Sequence, residues 1–245
     1  ARHKGVLLLG PRQTGKTTLI KHIQTDLTIS LVQPETRLRY EKDPSLLAKE
    51  IRHLKSQLSK IPLICLDEVQ KVPELLDVVQ SLMDEKEGLF ILTGSSARKL
   101  RRTPNINLLP GRVVALRLDP LTASEYSKAS LEELLLYGAL PGIITLKNHR
   151  DREIDLESYA TIYLEEEIRS EAIVRSLGHF ARFLEYAASE SGQIINYRKL
   201  SQEIGISHTT IASYFQILED CLIIERIEPL TKSKTRKKLT HAQKY

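Results

Sequence analysis

Gly10-Pro11-Arg12-Gln13-Thr14-Gly15-Lys16-Thr17 sets two glycines five residues apart and follows the second with a cationic and a hydroxyl side chain. This is the G-x-x-x-x-G-K-S/T pattern of a phosphate-binding loop. Gly10 and Gly15 let the backbone curl so that successive N–H groups, and the start of the following helix, face an anion. Pro11, Gln13 and Thr14 make up the body of that cradle, and Thr18 continues it into the helix. Lys16 is expected to reach the β- and γ-phosphates of a nucleoside triphosphate, and Thr17 to offer its hydroxyl to Mg2+. ATP and Mg2+ are therefore the expected ligands.

A second group of residues completes the chemistry. Leu63-Ile64-Cys65-Leu66-Asp67-Glu68 is an apolar strand delivering two adjacent carboxylates at its C-terminal end, where ligands of parallel α/β sheets bind. Asp67 is expected to hold Mg2+, directly or through water. Glu68 is expected to orient and polarise the water that attacks the γ-phosphate. A further buried strand, 89 to 94, ends in Thr93, Ser95 and Ser96, and Thr93 is placed to present a hydroxyl to the γ-phosphate or the water. Arg98 and Arg112 follow, and either is a candidate to neutralise transition-state charge, in cis or across a subunit boundary.

These residues need a scaffold of alternating strands and helices. Strands are predicted near 5 to 9, 28 to 33, 61 to 66, 89 to 94 and 112 to 118. Leu19, Ile20, Ile23 and Leu27 predict a helix over 16–27, and proline-opened periodic segments predict helices over 44–58 and 73–86. This is a five-strand α/β core over 1–120. A helical lid is expected over 121–176, from helices at 122–129, 131–137 and 152–174. A third region, 177–229, shows a helix to about Glu190, a short strand at 194–196, two more helices and a strand at 222–227.

The chain carries a net charge of +5, yet Lys232, Lys234, Arg236, Lys237 and Lys238 alone supply +5, leaving 31 basic against 31 acidic residues elsewhere. Affinity for polyanions therefore belongs to the basic tail, 230–245, and not to the body. The absence of any apolar run of about 18 residues, or of a signal-like start, predicts a cytoplasmic protein without a membrane partner. Cys65 and Cys221 have no spacing that predicts metal binding or a disulfide.

Five segments together resemble the successive motifs of a prokaryotic family of AAA-like P-loop ATPases related to the signal-transduction (STAND) ATPases. They are 10–18, Asp67-Glu68-Val69-Gln70-Lys71-Val72-Pro73, Leu92-Thr93-Gly94-Ser95-Ser96, Leu109-Pro110-Gly111-Arg112 and Tyr137-Gly138-Ala139-Leu140-Pro141-Gly142. The resemblance implies a sheet of order 5-1-4-3-2, an ATP cleft, a helical lid in which Pro141 packs near the adenine, and a winged helix after it. Members of the family commonly continue into a nuclease-like carboxy-terminal domain of unknown function, and 237–245 resembles its beginning. The chain is thus expected to be a segment of a longer protein.

The 200–218 segment has helix-turn-helix form, with Gly205 at the turn and Ser207 as N-cap. Residues 178–228 nevertheless carry four basic against seven acidic side chains, and 207–219 contains no Lys or Arg. Such a module is a poor DNA binder by itself, because phosphate neutralisation supplies most nonspecific affinity. Ser207, His208, Thr209 and Thr210 remain able to read base edges if the tail anchors the backbone. Two functions stay open: an ATP-hydrolysing switch or motor that assembles into homo-oligomers, and an ATP-gated, DNA-associated regulator with little turnover. A kinase is disfavoured, since no acceptor signature accompanies the loop.

Overall fold

A computed structural model of the chain describes residues 4–95, 109–163, 177–227 and 244–245. Five parallel strands form one sheet: β1 (Gly5–Leu9), β2 (Leu27–Ser30), β3 (Leu63–Asp67), β4 (Leu89–Gly94) and β5 (Val113–Arg117). Their order is β2-β3-β4-β1-β5, the expected 5-1-4-3-2 arrangement read from the other edge. Parallel sheets are covered on both faces, and β3 shows it: Ile64, Cys65 and Leu66 are all fully buried.

Helices cover the sheet because their apolar residues recur on one side. α1 (Lys16–Lys21) sets Ile20 against Cys65 and Ile91 on one face. On the other, α2 (Pro34–Lys42), α3 (Leu46–Gln57) and α4 (Leu75–Asp84) contribute Tyr40, Leu47, Ile51, Leu75, Val79 and Leu82 to the main core. Each fully buried Leu or Ile there contributes about 1.5–3 kcal/mol. The Tyr40 hydroxyl donates to Glu50 Oε2 at 2.5 Å, satisfying the polar end of a buried ring and tying α2 to α3.

Two compact units emerge, Ala1–Lys147 and Asn148–Tyr245. The first closes with α5 (Leu131–Tyr137), started by a reciprocal capping box between Ser130 and Glu133, and the short α6 (Pro141–Ile144). The second opens with α7 (His149–Ser158), followed by a π-helical stretch at Tyr159–Tyr163. Further along, α8 (Leu177–Ser189), α9 (Tyr197–Ile204) and α10 (His208–Asp220) pack Phe180, Phe183, Leu200, Ile211, Tyr214 and Phe215 into a separate core. Tyr245 joins it, its ring stacked on Phe215 at 4.6 Å and its hydroxyl 2.8 Å from that of Tyr197. Lys244 bridges antiparallel to both Ile194 and Ile227.

Several expected elements come out differently. The first helix ends at Lys21 instead of Leu27, because His22 and Ile23 donate to the carbonyls three residues back, tightening the last turn, and Leu27 pairs with Ile64 in β2. β2 stops at Ser30, and Pro34 then starts α2, a helix the periodicity missed for want of apolar residues. No helix forms over 122–129. The Thr122 N–H and hydroxyl both donate to Glu125 Oε2, closing one capped turn that no apolar face extends. The strand expected at 194–196 is one bridge at Ile194. That expected at 222–227 is one bridge at Ile227, because Leu222 takes a left-handed conformation (φ 61°) and the Ile223 N–H returns to Leu218 O, a Schellman closure of α10. The 164–174 part of the expected long helix lies outside the described residues.

Cys65 and Cys221 are free, buried thiols, and burial first, then the nearby Asp67 charge, pushes the Cys65 thiol up to about 12. Neither thiol should react with a chromogenic disulfide in the native protein, and both should react at once in denaturant. Rapid native labelling of either would contradict the burial described.

Candidate functional site

The parallel strands bring their C-terminal ends to one edge of the sheet, and three chain segments meet there. Leu9 is in register with Gly94 and with Arg117, and the Gly10 N–H continues the ladder to Gly94 O at 3.3 Å. A Cβ on Gly10 would collide with the carbonyl oxygen of Leu118, so only glycine lets the loop leave the sheet here. Gln13 (φ 62°) and Gly15 (φ 94°) then turn the chain through left-handed conformations. For Gln13 this costs about 1–3 kcal/mol, a strain that clusters at functional sites.

The loop is held from inside. The buried Thr14 hydroxyl donates to Pro11 O at 2.9 Å, and the buried Lys16 ammonium donates to Gly10 O at 2.8 Å and Pro11 O at 2.7 Å. Among the described residues, the backbone N–H groups of Gln13, Thr14 and Gly15 donate no hydrogen bond. Space above Gly15 is open. Undonated N–H groups around a lysine at a helix start are what a polyphosphate requires, so this chain fits an ATP phosphate tail. Thr17 and Thr18 are exposed on the first turn of α1, and Thr17 offers a hydroxyl to a hard cation.

Across the edge, β3 and β4 position the carboxylates. The Thr93 hydroxyl, fully buried, donates to Asp67 Oδ1 at 2.6 Å and accepts from the Glu68 N–H at 3.0 Å. Its one proton is committed to Asp67. Glu68 is left-handed (φ 61°, ψ 48°), so the chain turns immediately after Asp67. The Glu68 Oε2 accepts from Gln70 Nε2 and from the Ser95 hydroxyl, the latter at 3.1 Å. Gln70 and Ser95 are buried, and Gln70 was not singled out by sequence reasoning.

Arg112 is not brought to this edge. It precedes β5 at the opposite end, where its carbonyl accepts from the Gly5 N–H, roughly 16 Å of strand from Gly10. Its guanidinium makes a bidentate pair with Asp84 at 2.7 and 2.9 Å, which holds the Asp84 carboxyl below its usual range. Within its own chain the structure therefore does not bring Arg112 to the loop. Arg98 and Ser96 lie outside the described residues. Arg117, by contrast, ends β5 beside the loop and pairs with Asp119 at 2.6 Å; its position at a strand's C-terminal end was the available signal. Pro141 is half-buried at the start of α6, and Ala139 O accepts from the Leu121 N–H at 2.9 Å, tying that segment to the chain just beyond β5.

The candidate DNA-reading residues begin α10. The Ser207 hydroxyl caps the helix through the Thr210 N–H and contacts the Thr209 and Thr210 hydroxyls at 2.7 and 2.8 Å. They are engaged locally. Arg226, in the same unit, pairs with Glu219, and residues 232–238 lie outside the described residues. No helix among the described residues is long and apolar enough to cross a membrane.

Residues 2–127 match a family model described as an AAA domain, and residues 128–245 match one described as a domain of unknown function (DUF8612). "Uncharacterized protein Rv2008c" of Mycobacterium tuberculosis is 29% identical over 229 residues, covering 91% of this chain and 49% of that protein. "Uncharacterized protein MJ1637" of Methanocaldococcus jannaschii is 25% identical over 272 residues, covering 91% and 56%. The chain thus spans about half the length of the curated relatives it matches. Among solved structures, the Aeropyrum pernix ORC1 protein in complex with DNA aligns at TM-score 0.39 and 14% identity over 98% of this chain and 82% of that one. Caenorhabditis elegans PCH-2 aligns at 0.38 and 14%, over 90% and 61%. Both likenesses are too distant to assign a function.

Replacing Thr93 by Val keeps its volume but removes the donor to Asp67 and the acceptor for the Glu68 N–H. Leaving such buried groups unpaired costs about 1–3 kcal/mol. Urea unfolding of Thr93→Val should show a loss of that size, and a midpoint equal to the wild type's would contradict the bridging role.

Proposed function

The chain belongs to the AAA-domain family, and from that premise we propose that it is a Mg2+-dependent ATPase working as a nucleotide-driven switch or motor. The observation that carries the reading is the meeting, at one sheet edge, of a loop with undonated N–H groups and Lys16 on one side and Asp67 and Glu68 on the other.

In this reading the undonated N–H groups of the loop take up the β- and γ-phosphates, and the Lys16 ammonium exchanges the Gly10 and Pro11 carbonyls for them. Mg2+, held by Thr17 and Asp67, would neutralise phosphate charge when bound. Glu68 accepts a proton from water as the water oxygen bonds to the γ-phosphorus and the bond from that phosphorus to the β-bridging oxygen breaks. ADP and inorganic phosphate result. Thr93 keeps the two carboxylate residues in step, since one hydroxyl holds the Asp67 side chain and the Glu68 backbone.

The second unit supports a switch through its paired helices. In this reading α9 and α10, joined at Gly205-Ile206-Ser207, are a helix-turn-helix of winged-helix type, and isolated bridges link Lys244 to Ile194 and Ile227. Pro141, at the end of the first unit, is the residue proposed to pack near the adenine. An arginine acting in trans within a homo-oligomer is part of the same proposal, with Arg98 and Arg112 its sequence candidates.

Glu68→Gln keeps the shape but not the base. It should leave ATP affinity within about twofold of the wild type and slow turnover by roughly 100-fold or more, the scale of general-base catalysis. Phosphate-release kinetics with parallel binding measurements check this. Unchanged turnover would remove Glu68 from the reaction.

A further inference from the structure

Gln70 sits two residues beyond Glu68, in a single 3-10 turn (Val69–Lys71), and is 6% exposed. Its amide nitrogen spends both protons: one on Glu68 Oε2, the other on Ser95 Oγ at 3.0 Å. Ser95 in turn donates to the same Glu68 oxygen at 3.1 Å. The three side chains close a ring around one carboxylate oxygen. Among the described residues, nothing hydrogen-bonds the other oxygen, Oε1.

The amide carbonyl of Gln70 has no hydrogen-bond partner although it is buried. It points at Gly94, where an added Cβ would stand 2.7 Å from it, so the glycine at the end of β4 is what makes room. Turning the amide over would let the carbonyl accept from Ser95, but it would then set an oxygen against the Glu68 carboxylate. A buried carbonyl without a partner is a cost to the fold. The arrangement carries that cost while fixing Glu68.

We propose that Gln70, with Ser95, is a positioning residue for the reaction: it tethers Oε2 of Glu68 and leaves Oε1 to take the proton from the attacking water. The inference rests on the assignment of Glu68 as the base. The ring freezes a side chain whose backbone already stands in a left-handed conformation, so that the receiving oxygen is fixed before ATP arrives.

The test uses Gln70→Met, near in volume and without a donor, and the pair Ser95→Ala and Ser95→Thr. Gln70→Met should lower kcat about tenfold or more while ATP affinity stays within about twofold. Ser95→Ala should act in the same direction and Ser95→Thr, which keeps the hydroxyl, should recover most of the loss. In a Glu68→Gln background, single-turnover rates should show no further loss from Gln70→Met, since the residue acts through Glu68. Wild-type kcat in Gln70→Met, an equal loss in both backgrounds, or a loss matched by weakened ATP binding would each overturn the proposal. If Glu68→Gln itself turns over normally, the base assignment has failed and the proposal falls with it, an outcome distinct from a slow Glu68→Gln beside a Gln70→Met of wild-type kcat, which overturns the ring alone.

Discussion

One buried hydroxyl governs the edge of the sheet at which the loop and the two carboxylates meet. Thr93 lies at the end of β4 with no exposure, and it joins the Asp67 side chain to the Glu68 backbone across the β3–β4 pair. Without it, two adjacent carboxylates at a strand end would be free to splay or to turn into solvent. With it, the Asp67 side chain is held at the end of β3 while the chain turns at Glu68. A parallel β3–β4 pairing that matches Leu66 with Leu92 is the condition for that bridge, and the large apolar core beneath it holds the register.

The loop on the other side obeys a similar logic. Gly10 must be glycine because of Leu118, Gly15 because of its φ, and Gln13 accepts strain so that three consecutive N–H groups remain undonated. Lys16 and Thr14 meanwhile satisfy the Pro11 carbonyl from within. Strain and unmet donors are tolerable there because β1, the central partner of both β4 and β5, anchors the loop at its start.

Much of this was legible in the residues. A glycine spacing followed by lysine and threonine has few other physical uses, and the apolar run ending in Asp67-Glu68 fixes which end of the sheet carries chemistry. The same logic separates the two arginines of β5: Arg112, which precedes a parallel strand, starts at the far end, whereas Arg117 finishes at the near one. The Gln70–Ser95 ring was not legible, because it needs both the β3–β4 register and a left-handed glutamate that no glycine announces. Helix ends failed for local reasons: Leu222 stops α10 in a conformation that composition assigns to glycine, and Thr122 with Glu125 caps a turn that has nothing apolar to bury.

The central claim is that the loop at Lys16 holds a nucleoside triphosphate. Calorimetric titration of Mg-ATP into the wild-type protein and into Lys16→Ala tests it most directly, with circular dichroism to show that both are folded. Saturable binding at one site in the wild type, lost or weakened by about 100-fold in the variant, is the result the charge-assisted contact predicts. Equal affinity in the two proteins would contradict it.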